Sequence, residues 1–302
     1  MADTELRIID AHHHLWDLTV NHYPWLTDAR REILIGDPAP IAKNYLLPDF
    51  FGDANNQNVV KSVHLEAGHS GADPVLETAW LQKVADDPGS RGFPHAIVAH
   101  ANFAAPDVER TLERHRDHRN VRGIRHIVNR HPDPILNFAD RDYLNDPAWR
   151  QNFPLLKRFN LSFDLQLYPA QMADGAALAR ENPDIQIILN HTGMPIERTQ
   201  ESFAEWRTGM QGLAAFGNVA AKISGLGMLD HHWTEDSIRP FVLGTIDIFG
   251  VDRCAFASNF PVDSMMSDYD TLWNAFKAIT TGFSESERAA LFHDNAARLY
   301  RI

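Results

Sequence analysis

The sequence has one cysteine, no long apolar run and fewer basic than acidic residues. A lone cysteine, Cys254, cannot form an internal disulfide, which excludes a disulfide-stapled secreted fold and favours a reducing, cytoplasmic location. No apolar run approaches the roughly 18 residues that a membrane-spanning helix needs, so we predict no membrane association. The acidic and polar residues 1–5 also lack the pattern of a secretion signal.

Positive charge is scarce in this chain. Lys and Arg number 28 against 40 Asp and Glu, which gives a net charge of −12 over 302 residues. A basic surface for nucleic acid is therefore not expected. Hydrophobic residues make up 44% and charged residues 23%, values typical of a globular protein. These features predict a soluble, acidic, globular protein. The sequence gives no interface signal, and we expect a monomer or a homodimer that acts on a small-molecule substrate.

The sequence also lacks a G-x-G-x-x-G motif after its first predicted strand, which disfavours a doubly wound dinucleotide-binding sheet. Short strand-like runs alternate with helical stretches such as Pro74–Ala85 and Pro106–His118. The predicted strands are Leu6–His12, Val59–Leu65, Pro94–His100, Val121–Ile127, Leu161–Leu167, Ile185–Asn190, Val219–Ile223 and Cys254–Ala257. Eight such units predict an α/β fold, a (β/α)8 TIM barrel, that occupies residues 1–302 as one domain.

A long excursion separates the first two predicted strands. It runs from Leu18 to Phe51 and contains several prolines but no periodic apolar pattern. Long segments of this kind often cover a binding site. We therefore expect a distorted barrel whose first insertion lies over the mouth.

Histidine is abundant, with 16 residues, and His12, His13 and His14 are consecutive. Side chains alternate along a strand, so His12 and His14 share a face with Asp10 while His13 points to the other side. The carboxyl end of a barrel strand faces the active-site mouth. Two imidazoles at this position suit a divalent metal or an anionic substrate, and the alternative is a pair of hydrogen-bonded core histidines.

Five segments carry a family resemblance. Asp10–Asp17, which reads D-A-H-H-H-L-W-D, resembles the first-strand H-x-H of the amidohydrolase superfamily. More narrowly it is similar to the amidohydrolase-related branch that contains sugar-lactone and 2-pyrone-4,6-dicarboxylate lactonases. The other matches, in chain order and over nearly the whole chain, are Gly123–His126, Ile188–Pro195, Lys222–Leu226 and Phe256–Val262.

The resemblance implies a hydrolase that opens a lactone, or a related cyclic ester, of a small carboxylated or sugar-acid substrate. Water would attack at the barrel mouth. The candidate catalytic residues are His12, His14, His191, Asp263 and Asn259. The candidate substrate-binding residues are Arg125, Lys222, Tyr168, Trp16 and Glu66.

Each candidate has a chemical reason and a structural alternative. The planar fork of Arg125 suits a carboxylate or a lactone oxygen, or else an ion pair with Asp164. Lys222 would be costly inside a barrel unless paired, so it is either an ion-pair partner or a substrate contact. His191 suits proton transfer near neutral pH. Trp16 either covers a substrate ring or packs the first loop.

Two departures from the branch pattern concern the metal and the general base. Asn259 stands where the superfamily usually has an Asp that binds metal and activates water, and an amide cannot accept that proton. The fifth strand offers no His. We therefore expect either one weakly held divalent metal, zinc or manganese, on His12 and His14, or none. His12 and Asp263 rank ahead of Glu66 as the general base.

Two other functions stay open. The superfamily's decarboxylases resemble this chain in fold and first-strand motif, but they typically keep the eighth-strand Asp. A catalytically impaired small-molecule-binding barrel would also explain Asn259. An engineered Asp→Asn substitution at this position would give the same sequence.

Overall fold

The structure is a computed structural model that describes residues 6–28, 32–70 and 73–302. The charged N-terminal residues 1–5, on which the prediction about secretion depends, lie outside this part of the chain. The strands are β1 (Ile8–His13), β2 (Val59–Leu65), β3 (Ala96–His100), β4 (Val121–Arg125), β5 (Ser162–Leu165), β6 (Ile187–Leu189), β7 (Val219–Ile223) and β8 (Cys254–Phe256).

All eight strands are parallel and follow one another in chain order around the sheet. This arrangement confirms the predicted (β/α)8 barrel and its eight strands, most of which are shorter than predicted by one or two residues at an end. The strands are short, apolar and rich in β-branched residues, as is typical of a parallel sheet covered on its outer face by helices. Every residue of β1 is buried.

The barrel closes between β1 and the segment after β8. His13 pairs with Phe260 in a parallel bridge, and the backbone N–H of Asn259 donates to the carbonyl oxygen of His12 at 2.7 Å. The buried Asp10 carboxylate accepts hydrogen bonds from the backbone and hydroxyl of Ser258 and from the Tyr269 hydroxyl. Burial raises the Asp10 pKa to about 6. Asp10 therefore links β1 to the segment after β8, where the barrel closes.

Helices cover the outside of the barrel and fill its loops. They are α1 (Pro24–Thr27), α2 (Leu47–Asp53), α3 (Val75–Asp86), α4 (Val108–Arg116), α5 (Pro147–Asn152), α6 (Leu155–Phe159), α7 (Met172–Glu181), α8 (Gln200–Ala214), α9 (Leu226–Leu229), α10 (Glu235–Phe249), α11 (Tyr269–Ile279), α12 (Glu285–Ala289) and α13 (Asn295–Tyr300). Asp146 caps α5, because its carboxylate accepts a hydrogen bond from the backbone amide of Trp149 at 3.0 Å. In the described part of the chain, no helix is long and apolar enough to cross a membrane.

The insertion after β1 returns to the barrel rather than extending into solvent. Trp16 and Tyr45 form an antiparallel bridge, and the Trp25 indole donates to the Ala67 carbonyl oxygen at 2.7 Å. Because Ala67 follows β2, the second contact places α1 beside the carboxyl ends of the first strands. The insertion therefore forms one wall of the mouth.

Candidate functional site

A cavity of about 320 Å³ opens among the loops that follow the strands. Its polar walls come from five side chains: His14, Arg125, Gln166, His191 and Asn259. Its apolar walls come from the first insertion and from the loops after β4, β6, β7 and β8: Trp25, Ile33, Leu34, Ile35, Ile127, Phe138, Met194, Met228 and Val262. Sites of this kind lie at the carboxyl face of TIM barrels.

The His14 ring is oriented by backbone. Its Nδ1 lies 2.9 Å from the Leu65 carbonyl oxygen, and a carbonyl can only accept, so Nδ1 carries the proton. The Nε2 lone pair is then free in the cavity wall. Burial, followed by the charge of Arg125, holds the His14 pKa well below its usual value, so the ring is neutral at working pH.

His12 lies next to His191, which lines the cavity, and their rings are tilted by 42° with centroids 4.5 Å apart. The Nδ1 atom of His191 is 3.0 Å from the Ser224 hydroxyl, whereas neither ring nitrogen of the buried His12 has a hydrogen-bond partner among the residues that the structure describes. Burial lowers the pKa of both rings, and the charge of Lys222 lowers it further. Both imidazoles are therefore neutral.

The segment that presents His191 has an unusual backbone. His191, Thr192 and Met194 all have φ between 49° and 58°, in the left-handed region that side chains disfavour. The neighbouring Gly225 is required by close approach, because a Cβ there would meet His191 Nδ1 at 2.5 Å. Strained backbone of this kind clusters at functional sites.

Arg125 is held by a neighbouring acid. Its Nε donates to the Glu66 carboxylate at 2.7 Å and its Nη2 to the Glu66 carbonyl oxygen at 2.5 Å, while Nη1 donates to Gln166 Oε1 at 3.2 Å. Burial alone would raise the Glu66 pKa, but the charges of Arg125 and His100 outweigh it and hold that pKa below its usual value. The expected alternative partner of Arg125, Asp164, is instead engaged by Lys222.

Lys222 and Asp164 form an ion pair inside the barrel. Lys222 Nζ lies 2.5 Å from Asp164 Oδ1, which also accepts from the Tyr300 hydroxyl at 2.9 Å, and both charged side chains have no exposed surface. Burial lowers the Lys222 pKa to about 8 although Asp164 opposes the shift. Lys222 does not line the cavity.

Asn259 lines the cavity, and Asp263 lies behind it. The Asn259 amide nitrogen lies 3.2 Å from Asp263 Oδ1 and 3.7 Å from Met228 Sδ. With the nitrogen directed at these two acceptors, the amide oxygen is the acceptor that this cavity-lining side chain can offer to a ligand. Burial raises the Asp263 pKa to about 7.

Of the five predicted substrate-binding residues only Arg125 lines this cavity: Lys222 is buried in the barrel, Glu66 lines the second cavity described below, and Trp16 and Tyr168 lie in the surrounding loops. Trp16 is fully buried and its indole donates to the Lys43 carbonyl oxygen at 2.7 Å. Tyr168 is buried, and its hydroxyl donates to the Leu136 carbonyl oxygen at 2.8 Å. Both side chains pack the loops that surround the mouth. Trp25, from the same insertion as Trp16, does line the cavity.

Several wall residues were not among the predicted site residues. Gln166 had a signal, since it follows Asp164 by two residues and so points the same way from the barrel. Phe138, Met194 and Met228 had none, because isolated apolar residues in loops resemble core residues in sequence. A second cavity of about 300 Å³ lies among the ends of β2, β3 and β4, and Phe138 lines both cavities.

The divalent metal that the resemblance implies would need a matching set of donor side chains at the cavity. A catalytic zinc site takes three protein ligands. Within residues 6–28, 32–70 and 73–302, no group of three or more His, Cys, Asp or Glu side chains is placed to hold a metal ion. The two predicted ligands, His12 and His14, provide neutral imidazole nitrogens, the neighbouring His191 has its Nδ1 3.0 Å from the Ser224 hydroxyl, and Asn259 provides only an amide. These residues do not fit a firmly bound metal.

Comparisons with known proteins agree with this architecture. The family described as Amidohydrolase matches residues 9–302. An uncharacterised protein of Sinorhizobium fredii, y4mH, is 52% identical over 300 residues, which is 99% of this chain and 100% of that protein.

Two more distant relatives carry more informative names. An L-fucono-1,5-lactonase of Burkholderia multivorans is 26% identical, over 97% of this chain and 96% of that protein. A crystal structure of an amidohydrolase from Burkholderia multivorans with bound zinc has a TM-score of 0.80 and 25% identity, and it covers 98% of this chain and 99% of that one.

Proposed function

Because the chain belongs to the amidohydrolase family, we propose that it is a hydrolase that opens a small lactone or a related cyclic ester. One observation carries this proposal: imidazole acceptors and N–H donors converge on a single cavity at the carboxyl face of the barrel. The name of the lactonase relative supports the same reaction.

In this scheme a cavity histidine removes the proton from the attacking water. His14 is neutral, its proton is fixed on Nδ1 by Leu65, and its Nε2 lone pair faces the cavity. We assign His14 as the general base that accepts a proton as water attacks the lactone carbonyl carbon. His191 is the second candidate, since Ser224 orients its ring beside the same cavity. A positioned base typically contributes about 10²–10⁴ in rate.

In this scheme Arg125 and Gln166 polarise the lactone carbonyl group. The Gln166 carbonyl oxygen accepts from Arg125, which leaves the Gln166 NH₂ group for the cavity. These donors would stabilise the oxyanion that forms when water adds to the carbonyl carbon. When the intermediate collapses, the ring C–O bond breaks. The departing alkoxide takes the proton from the imidazolium, and the product is a hydroxy acid.

Asn259 supplies an acceptor rather than a base. Asn259 lines the cavity, and its amide oxygen suits a hydrogen bond from the attacking water or from the new hydroxyl group. Asp263 positions this amide from behind. Glu66 neutralises and orients Arg125, so neither carboxylate needs to touch the substrate in this scheme.

The predicted substrate is either a sugar-acid lactone or a carboxylated lactone, and the two have different support. The name of the Burkholderia multivorans relative favours a sugar-acid lactone. A carboxylated substrate has less support, because Arg125 is already paired with Glu66 at 2.7 Å. The decarboxylase and binding-only alternatives stay hypotheses that the same experiment addresses.

The test is a titration of acid release from a panel of γ- and δ-lactones, run beside assays for carbon dioxide release from aromatic carboxylates. We expect lactone opening by the purified protein and a loss of at least 100-fold in kcat for His14→Gln. Carbon dioxide release without lactone opening would favour a decarboxylase. Binding of lactones without turnover would favour the binding-only protein.

A further inference from the structure

We propose that the lactone opened here carries an alkyl or aryl substituent in place of most of the ring hydroxyls of a sugar lactone. This inference rests on the proposed function and concerns the same cavity. It comes from the chemistry of the cavity walls, which are apolar wherever they do not serve the reacting carbonyl.

The apolar wall is continuous across several loops. The first insertion contributes Trp25, Ile33, Leu34 and Ile35, and the opposite side contributes Ile127 and Phe138. The only polar atom of the Trp25 side chain is committed, since its indole N–H donates to the Ala67 carbonyl oxygen at 2.7 Å. This wall therefore offers no side-chain hydrogen bond to a substrate.

The polar groups of the wall are few, and the reaction uses them. Water activation and carbonyl polarisation need His14, His191, Arg125 and Gln166, and Asn259 contributes one amide oxygen. A polyhydroxylated ring would bring several further hydroxyl groups into the cavity. A buried hydroxyl without a partner is disfavoured, so such a ring would bind poorly against this wall.

The charges of the lining residues also favour a neutral substituted lactone as the substrate. Arg125 is the one cation among the described residues that line the cavity, and it is matched by Glu66. His14 and His191 are neutral. Among the described lining residues a substrate carboxylate would thus find no unpaired charge, whereas a neutral substituted lactone needs none.

The size of the cavity suits one ring with a short substituent. A volume of about 320 Å³ lies at the small end of ligand sites, which run from about 300 to 1,000 Å³. Each methylene buried against such a wall favours binding by about fourfold. The preference should therefore rise with the length of the alkyl chain until the cavity is full.

The first experiment compares four δ-lactones: unsubstituted δ-valerolactone, δ-hexalactone, δ-decalactone and glucono-δ-lactone. We expect kcat/KM to increase from valerolactone to the alkyl-substituted lactones and to exceed that for gluconolactone at least tenfold. A preference for gluconolactone would overturn the inference and leave lactone hydrolysis intact.

Binding is measured separately from turnover with the corresponding lactams, which resist hydrolysis. Calorimetry should give tighter binding of the alkyl lactam than of the hydroxylated lactam. Inactivity on every lactone together with this binding order would overturn the proposed hydrolysis and leave only the apolar ligand preference of the cavity standing. Equal or reversed affinities would overturn the inference whatever the activity.

The wall itself is tested with a near-isosteric substitution. Leu34→Asn places an amide in the apolar wall and should lower kcat/KM for δ-decalactone at least fivefold while that for gluconolactone stays level or rises. Val20→Thr is the matched control in the same insertion, because Val20 is 65% exposed and does not line the cavity. Ile127→Thr on the opposite wall repeats the test if Leu34→Asn fails to fold, and an unchanged preference in the folded variant would contradict the inference.

Discussion

The side-chain amide of Asn259 donates a hydrogen bond to the carboxyl group of Asp263 across 3.2 Å. Both residues are buried, and they follow β8, where a carboxylate is usual in the superfamily that the sequence resembles. The carboxyl group is thus present near the mouth but four residues further along, behind the residue that lines the cavity. Burial raises its pKa to about 7.

Exchanging the two side chains tests this relationship. Asn259→Asp would place two carboxyl groups against each other, which raises their pKa values. We expect this variant to lose on the order of 2 kcal/mol of stability at pH 8, since each unit of raised pKa costs about 1.4 kcal/mol, and to lose much less at pH 5. The double variant Asn259→Asp/Asp263→Asn should recover most of the loss. Urea unfolding measures both effects, and a stable single variant at pH 8 would contradict the assigned contact.

The roles of the two cavity histidines are tested by His14→Gln and His191→Gln. We expect His14→Gln to lower kcat for lactone opening by about 10²–10⁴ with little change in KM, because a general base acts in the transition state. His191→Gln should cost less if it only orients water. His232→Gln, an exposed histidine outside the cavity, is the control. The reverse order of effects would make His191 the base.

Metal dependence is tested by elemental analysis before and after dialysis against a chelator, on protein without a histidine tag. The two-imidazole donor set predicts far less than one equivalent of zinc or manganese and activity that survives chelation. One equivalent of metal, with activity lost on chelation and restored by zinc, would instead make His12 and His14 ligands.

The ion pair between Lys222 and Asp164 predicts a structural role for the lysine. Lys222→Met leaves a buried carboxylate without a counter-charge and should cost about 3–5 kcal/mol of stability. Lys222→Met/Asp164→Leu removes both charges and should recover much of that loss. Unfolding in urea measures the cycle. A stable Lys222→Met protein whose KM for lactones rises sharply would instead make Lys222 a substrate contact.

The titration of the buried Glu77 side chain should make the free energy of unfolding depend on pH. Burial, and then the charge of Glu66, raise the pKa of Glu77 to about 8, well above the unfolded value of 4.5. The folded state therefore holds a proton that the unfolded chain releases, so this contribution to stability is complete below pH 4.5 and is lost as the pH rises through 8.

Glu77→Gln keeps an acceptor for the Ala67 amide, which donates to Glu77 at 3.1 Å, and removes the titration. We expect its Tm to exceed that of the wild type by a few degrees at pH 9 and to match it at pH 5. Parallel plots of Tm against pH for the two proteins would show that Glu77 does not carry the dependence.

The strands and their order follow from local sequence. Short apolar runs that alternate with helical stretches leave few topologies for a parallel sheet, and the (β/α)8 barrel is the one that places each strand beside the next. The alternation of side chains also separates His12 and His14 from His13, which stacks on Phe50 away from the cavity. These features depend on spacing along one strand, so the sequence by itself determines them.

The partners of the charged residues depend on contacts between alternate strands. Arg125 in β4 pairs with Glu66 after β2, and Lys222 in β7 pairs with Asp164 in β5. Alternate strands of a barrel contribute side chains to the same interior layer, so these residues meet although 58 or 59 residues separate them. Sequence spacing carries no information about which acid a given cation reaches. The tertiary structure alone decided these pairs, the fixed proton of His14 and the apolar wall, because each depends on groups that only barrel closure brings together.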